Sequence, residues 1–336
     1  MAVKYLVTGG AGHLGNTIVR LLNQRGEKVR VLLYYNETLP EEIRACTECV
    51  EGDVRNIASL EPFFENAAKD DLIVIHCAGM ISITVQFDKR LYDTNVGGTK
   101  NIIELCKRHN VKKLVYISSV HAIPELKKGE IMTEVHDFSA AAVRGAYAKT
   151  KAEATAAVLA AAQEGLDAVV VHPSGIAGPY DYGRGHLTQM ITDCASGALV
   201  AGVNGGYDFV DVRDVAQGVL ACAQWGKAGE CYILSNKYLS VTELLAMLHD
   251  VGGLKKIKSI MPIWLAKMTA PFAETYYKLR GTPPLYTSYS LYTLSSNSLF
   301  SHAKASAQLG YRTRPFEATV KDTVAWLKMK GRIKCV

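Results

Sequence analysis

The chain lacks an apolar run long enough to cross a bilayer. Its least polar stretch, 260–277, is interrupted by Lys267, Glu274 and two prolines, whereas a membrane helix needs about 20 consecutive apolar residues. No transmembrane segment is expected. The opening Met1-Ala2-Val3-Lys4-Tyr5 has no charged stretch followed by an apolar one, so no secretion signal is expected and the location read from the sequence is cytoplasmic. An excess of one charge is also missing. The 38 Lys and Arg are interspersed with 32 Asp and Glu, leaving +6 on 336 residues with no basic tract; nucleic acid is given no electrostatic footprint. The eight cysteines are scattered, and Cys46-x-x-Cys49 has no second Cys or His pair nearby to complete a tetrahedron. Neither a metal site nor a disulfide framework is expected, and such thiols suit a reducing compartment.

What is present is alternation. Apolar, β-branched runs at Tyr5 to Thr8, Val29 to Leu33, Cys49 to Val50, Leu72 to His76, Leu114 to Ser118 and Ala168 to His172 read as strands. Between them, helix-period apolar residues predict helices over Leu14 to Arg25, Ser59 to Ala67, Val96 to His109 and Ala146 to Glu164. Near-continuous apolar strands separated by amphipathic helices predict an α/β fold with a doubly wound parallel sheet, the Rossmann arrangement. After about Pro179 the pattern becomes irregular, with a Tyr-rich stretch at 276–292 and short helical signals at Thr242 to His249 and Ala318 to Met329. Residues 1–179 are expected to bind NAD(P), with 205–235 returning to that domain, while 180–204 and 236–336 form a smaller substrate lobe.

Gly9-x-x-Gly12-x-x-Gly15 follows a strand and opens a helix. Its glycines permit a tight turn and close approach of backbone to a pyrophosphate, whose charge meets the helix N-terminus at His13 and Leu14. At the end of the second strand, Leu33-Tyr34-Tyr35-Asn36 carries no carboxylate to repel a 2′-phosphate. NADP is therefore expected to be accepted at least as readily as NAD, with Lys28, Arg30 or Arg55 as possible sources of countercharge. Asp53 and Val54 are placed to meet the adenine edge. Cys77, Ala78 and Gly79 let the backbone pass close to the ribose.

Of the 17 tyrosines, Tyr147 alone has a lysine four residues on, Lys151. On a helix that spacing sets both side chains on one face, where an ammonium can lower a phenol's pKa toward the working pH. Ser118 and Ser119 end the fifth strand, at the carboxyl edge where such sheets bind ligands. Redox chemistry on a carbonyl or alcohol is the expectation. The run Thr8-Gly9-Gly10-Ala11-Gly12-His13-Leu14-Gly15, with Asp53, Asn95-Val96-Gly97-Gly98-Thr99, Ser119, Tyr147, Lys151, Pro173-x-x-x-x-Gly178-Pro179 and Phe209-Val210-Asp211-Val212-Arg213-Asp214-Val215-Ala216, resembles the extended short-chain dehydrogenase/reductases, the NAD-dependent epimerase/dehydratase-like proteins. The resemblance covers almost the whole chain. It implies Tyr147 as general acid/base, Lys151 as its tuner and ribose ligand, and Ser119 as a hydrogen bond to the substrate oxygen. It further implies Asn95 on the proton path, Ser118 beside the cofactor, and Pro173, Gly175 and Ile176 lining the nicotinamide.

Departures narrow the resemblance. Val120 and His121 stand where dehydratases of this class carry an Asp-Glu pair, and Gly175 stands where sugar-nucleotide enzymes carry an Asn. The reductase branch, similar to dihydroflavonol 4-reductase and 3β-hydroxysteroid dehydrogenase, is favoured. The expected function is NAD(P)-dependent hydride transfer between nicotinamide and a secondary alcohol or ketone on a hydrophobic multi-ring scaffold. The alternatives are a sugar-nucleotide epimerase and a non-catalytic dinucleotide sensor. His121, Ser174, Tyr180, Trp264 and Tyr289 are the candidate substrate contacts, and His172 reads as a buried, hydrogen-bonded strand histidine. The partners expected are a small-molecule substrate and a second copy of the chain, through the alanine-rich surface at Ala154, Ala156, Ala157, Ala160, Ala161 and Ala162.

Overall fold

The computed structural model describes residues 3–65, 71–82, 86–183, 185–270 and 288–334. In chain order the strands are β1 (Val3–Thr8), β2 (Lys28–Leu33), β3 (Glu48–Glu51), β4 (Asp71–His76), β5 (Lys113–Ile117), β6 (Ala168–Pro173), β7 (Gly175–Ala177), β8 (Gly202–Val203), β9 (Gly206–Asp211), β10 (Cys231–Leu234), β11 (Lys237–Ser240) and β12 (Ile260–Met261). Seven of them form one parallel sheet in the order β10-β6-β5-β4-β1-β2-β3. The expected doubly wound sheet is thus found. From β1 the chain runs outward through β2 and β3, then returns to β4 and proceeds the other way. Ligands bind in such sheets at the crevice where that reversal occurs, beyond the carboxyl ends of β1 and β4.

Burial on both faces explains why the inner strands are mostly apolar, whereas the edge strand β3 is largely exposed. Along β5, Leu114 and Tyr116 enter one core with Ile102, Leu105 and Val158 of the helices Gly98–Arg108 and Ala146–Gln163. Val115 and Ile117 enter the opposite core with Ile18, Leu22, Val215 and Val219 of the helices His13–Gln24 and Val212–Trp225. Side chains alternate across a strand, so each helix layer has its own set.

Four features differ from the sequence reading. The segment expected to begin a helix at Val96 is entered through a π turn over Asp93–Gly97, ahead of the helix Gly98–Arg108. The helix expected from Ser59 is a 3₁₀ turn, Ile57–Leu60, followed by one α turn, Glu61–Phe64; Ala67, where it was expected to end, lies outside the described residues. A second sheet, β11-β9-β7, and the pair β12-β8 stand apart from the first. Beside them a third core gathers Leu239, Leu244, Leu248, Phe316, Trp326 and Leu327. Of the alanines expected on a free surface, Ala154 and Ala161 are instead buried in the core, because the helix Ala146–Gln163 is apolar on more than one side. No described helix is long and apolar enough to cross a membrane.

Candidate active site

The glycine loop fits a dinucleotide. Gly9 has φ +68°, and a Cβ there would lie 2.7 Å from the Ala78 nitrogen, so backbone meets backbone across the crevice. Gly12 precedes the helix His13–Gln24 and gives it no side-chain cap. The orphan N–H groups of the first turn, with the helix dipole behind them, are what a pyrophosphate requires. A Cβ at Gly15 would come within 2.1 Å of the Gly9 carbonyl, which keeps helix and loop in contact. Leu14 is buried beneath. The His13 ring serves a different end: its Nε2 pairs with the Pro179 carbonyl at 2.9 Å, and burial holds its pKa below the ordinary value.

At the far end of the crevice the three candidate cations separate. Lys28 begins β2, at the wrong edge. Arg30 is buried, donating to the carbonyls of Phe63 and Glu65 and pairing with Glu48. Arg55 alone of the three stands beside Tyr34, 3.3 Å from its hydroxyl, with its guanidinium forked onto Asp53 at 2.6 to 3.0 Å. That fork, more than anything else nearby, holds the Asp53 carboxyl below its usual range. Val54 is buried, and its carbonyl accepts from Asn101.

Nearer the sheet's centre, Thr8 Oγ1 links the ends of β1 and β4, pairing with His76 Nδ1 at 2.7 Å and accepting from the Ala78 amide at 3.1 Å. Cys77 is an inert thiol, pushed up to about 12 by burial. A Cβ on Gly79 would lie 3.2 Å from Asn95 Oδ1 and 3.4 Å from Lys151 Nζ. Asn95 is fully used: its amide donates to the Met80 carbonyl and Thr150 Oγ1, each at 3.0 Å, and its oxygen accepts from the Met80 amide at 2.8 Å. It pins the loop after β4 to the helix carrying Tyr147.

Tyr147 and Lys151 occupy the first turns of that helix, both more than nine-tenths buried. Lys151 Nζ donates to the Ile117 carbonyl at 2.7 Å and sits 5.0 Å above the Tyr116 ring. Burial lowers its pKa to about 8. The Tyr147 phenol is pushed up to about 12, chiefly by burial, against a hydrogen bond with Ser119 that pulls it down. The expected lowering by Lys151 is therefore not seen: desolvation dominates while the ammonium is turned to a carbonyl. Ser119 opens the 3₁₀ turn Val120–Ala122, its hydroxyl accepting from the His121 amide at 3.2 Å. His172 Nδ1–H donates to the Ser119 carbonyl at 2.9 Å, and its ring stacks on Phe138. This is the buried, bonded histidine the sequence predicts. The Ser118 hydroxyl is turned instead to Thr155, at 2.7 Å.

Around the phenol stands an aromatic wall that sequence reasoning only partly found. His121 lies edge-on to Tyr147, 6.0 Å between centroids, and stacks on Tyr207 with its Nε2 3.0 Å from the Tyr207 hydroxyl. Tyr289 closes the group, 6.3 Å from His121. Tyr207 was missed, although it lies two residues before Phe209 on the same strand and hence on the same face. Pro173 ends β6, and Gly175 and Ile176 belong to β7, paired with Phe209 and Val210. A Cβ at Gly175 would lie 2.9 Å from the Tyr207 ring, the Phe209 ring and the Asp208 carbonyl. Ser174 is buried there with its amide on the Leu234 carbonyl.

Two expected contacts fall elsewhere. Trp264 is 61% exposed and outside the wall, because the helix at 263–270 buries Ala266 and Ala270 instead. The Tyr180 ring lies under the Arg20 guanidinium and against Trp326. Tyr276, Tyr277 and Tyr286 lie outside the described residues. Among the described residues no group of His, Cys, Asp and Glu is arranged to hold a metal.

The geometry has counterparts. The model of the NAD dependent epimerase/dehydratase family matches residues 5–235. Sterol demethylase protein B of Methylococcus capsulatus is 29% identical over 98% of this chain and 99% of its own. The 3beta-hydroxysteroid-dehydrogenase/decarboxylase isoform 1 of Arabidopsis thaliana is 28% identical over 95% of this chain and 78% of its own. The crystal structure of gox2253 superposes with a TM-score of 0.84, at 30% identity over 99% of this chain and 100% of that one. With its glycine loop, its strand order and its Ser-Tyr-Lys set at the carboxyl edge, the chain belongs to the NAD-dependent epimerase/dehydratase family of extended short-chain dehydrogenase/reductases and is an oxidoreductase of that family.

Proposed function

We propose that this enzyme interconverts a secondary alcohol and a ketone on a hydrophobic, multi-ring substrate, with NADP accepted at least as well as NAD. The observation that carries this reading is the burial of Tyr147 beside Ser119, inside a wall of His121, Tyr207 and Tyr289. The dinucleotide, when bound, supplies or accepts the hydride. Ser119 and Tyr147 hold the substrate oxygen by hydrogen bonds, and Tyr147 gives or takes its proton. Lys151 binds the nicotinamide ribose, exchanging the Ile117 carbonyl for a ribose hydroxyl and coming to bear on the phenol. In this reading 1–179, rejoined by 205–235, hold the dinucleotide, while 180–204 and 236–336 enclose the substrate.

Two further facts support the substrate class. The space beside Gly175 is filled by Tyr207 and Phe209, so the Asn of sugar-nucleotide enzymes has no room. Two relatives carry sterol and hydroxysteroid in their names, and apolar surface buried at about 25 cal/mol per Å² would bind such a scaffold with few hydrogen bonds. A panel of hydroxysteroids, flavonoids, simple ketones and nucleotide sugars, followed by nicotinamide absorbance with both cofactors, tests the reading. Turnover of a ring ketone or alcohol is expected; efficient turnover of UDP-glucose with an inert steroid and flavonoid panel would overturn it. A homodimer is also expected, through the faces of Ala156, Ala157, Ala160 and Ala162; a light-scattering mass near 36.6 kDa at micromolar concentration contradicts it.

A further inference from the structure

The Tyr289 ring is buried in the wall, yet its own hydroxyl reaches only the Arg144 carbonyl, at 3.5 Å, longer than an ordinary hydrogen bond. Its place is set by the helix that carries it. That helix, Ser288–Ser295, is too short to stand alone and packs Leu291 with Val203, Ala266 and Ala270. On the same helix Tyr292 donates to Glu125 Oε2 at 2.5 Å, with the Arg144 guanidinium 4.6 Å from the Tyr292 ring centroid. Burial, and then that bond, push the Tyr292 phenol up to about 12, so it remains the donor at neutral pH. Glu125 Oε1 accepts from the Asn297 backbone N–H at 2.7 Å, and the Asn297 side chain donates to the carbonyls of Lys127 and Glu130 at 3.0 and 2.7 Å. Both oxygens of Glu125 are thus used. Glu125 belongs to the loop that leaves the turn of Ser119 and His121. Two segments of the site, 167 residues apart at the Glu125–Tyr292 bond, are joined by one carboxylate.

We propose that Glu125 is a positioning residue for the reaction: by holding Tyr292 and Asn297 it sets how closely Tyr289 approaches His121 and Tyr147, and so selects substrates large enough to lie against that ring. A multi-ring ketone covers the Tyr289 face and loses apolar contact when the helix shifts. A small ketone meets Ser119 and Tyr147 without covering it, and loses little. This rests on the reductase reading above and adds to it a residue that governs substrate size through Tyr292, from outside the wall.

The test compares a steroid ketone and flavanone with cyclohexanone, in the native protein, Glu125→Gln, Tyr292→Phe and the double variant. In each single variant kcat/KM for the multi-ring ketones should fall about tenfold, the size of one hydrogen bond to a charged acceptor, through KM with kcat near native. Cyclohexanone should change little. Because either substitution breaks the same bond, the double variant should be no worse than the weaker single one. Hydrogen exchange over 119–132 and 288–301 should quicken in both single variants and stay native over 3–33. If Glu125→Gln fails to fold, Tyr292→Phe decides alone. A native ratio between large and small ketones in the variants, equal losses for both, or native exchange in the two segments overturns the positioning role and leaves the reductase reading intact. A native enzyme that binds the dinucleotide and reduces no ketone overturns both, since the wall then has no ketone to select.

Discussion

Gly145 and Tyr289 exclude each other's growth: a Cβ on Gly145 would lie 2.4 Å from Tyr289 Cε2, and Gly145 itself holds φ +98°. The residue before the helix of Tyr147 is thereby fixed both by its backbone conformation and by an aromatic ring from 144 residues further along the chain. Gly145→Ala should cost about 2 to 4 kcal/mol, from left-handed strain together with overpacking. It should also lower kcat, since Tyr147 lies two residues on. Urea unfolding and steady-state kinetics measure both, and a variant of native stability contradicts the packing argument.

Tyr147→Phe keeps the ring and removes the hydroxyl. Turnover should fall by at least the roughly 10²-fold of a lost general acid, while dinucleotide titration remains near native. Lys151→Ala should damage both, because the same ammonium is assigned the ribose and the phenol. Unchanged dinucleotide affinity in Lys151→Ala would remove half of that assignment.

Arg55 stands beside Tyr34, and the proposed acceptance of NADP assigns it the 2′-phosphate. Arg55→Ala should weaken NADP about tenfold or more and NAD less, the size expected for loss of one charge-assisted bond. Leu33→Asp, placing a carboxylate at the end of β2, should shift preference toward NAD. Fluorescence titration with the two cofactors checks each variant; equal losses for both would show that Arg55 does not read the phosphate.

Acid should destabilise the fold early. His76, His121 and His172 are held near 3, 4 and 4 by burial, the last two acting on the site directly. An unfolded histidine takes up its proton near 6.5, so below that pH the unfolded chain binds protons the folded chain refuses. Each such proton costs about 1.4 kcal/mol per pH unit. Stability present above 6.5 is therefore lost as pH falls toward 4. Asp208, raised by burial to about 6, acts in the opposite direction between about 4 and 6 and offsets one histidine there. Denaturant midpoints measured at half-unit steps from pH 7.5 to 4.5 should hold down to about 6.5 and fall from there; a flat profile contradicts the burial of neutral imidazoles.

The legible parts of the molecule were those written locally. Runs such as Leu114 to Ile117 declare a two-sided buried strand, and the glycine loop declares its turn, because each needs only neighbouring residues. In the second sheet β7 is three residues long and β11 four, and β7 and β9 open at Gly175 and Gly206, so little periodicity develops. Tyr207 was unreadable for another reason: its partner His121 is 86 residues away, and nothing near either residue records the meeting. Trp264 misled because an apolar residue in a helix was read without knowing which face Ala266 and Ala270 would bury.

The helix that follows the glycine loop also holds the chain where β7 has ended, at Pro179 and Tyr180. His13 grips the Pro179 carbonyl, Asn16 donates to the Tyr180 carbonyl at 3.0 Å, and Arg20 covers the Tyr180 ring, itself at φ +72°. Three successive turns of one helix thus grip two consecutive residues, so Pro179 and Tyr180 are tied to the helix of the glycine loop by side chains and not through the sheet.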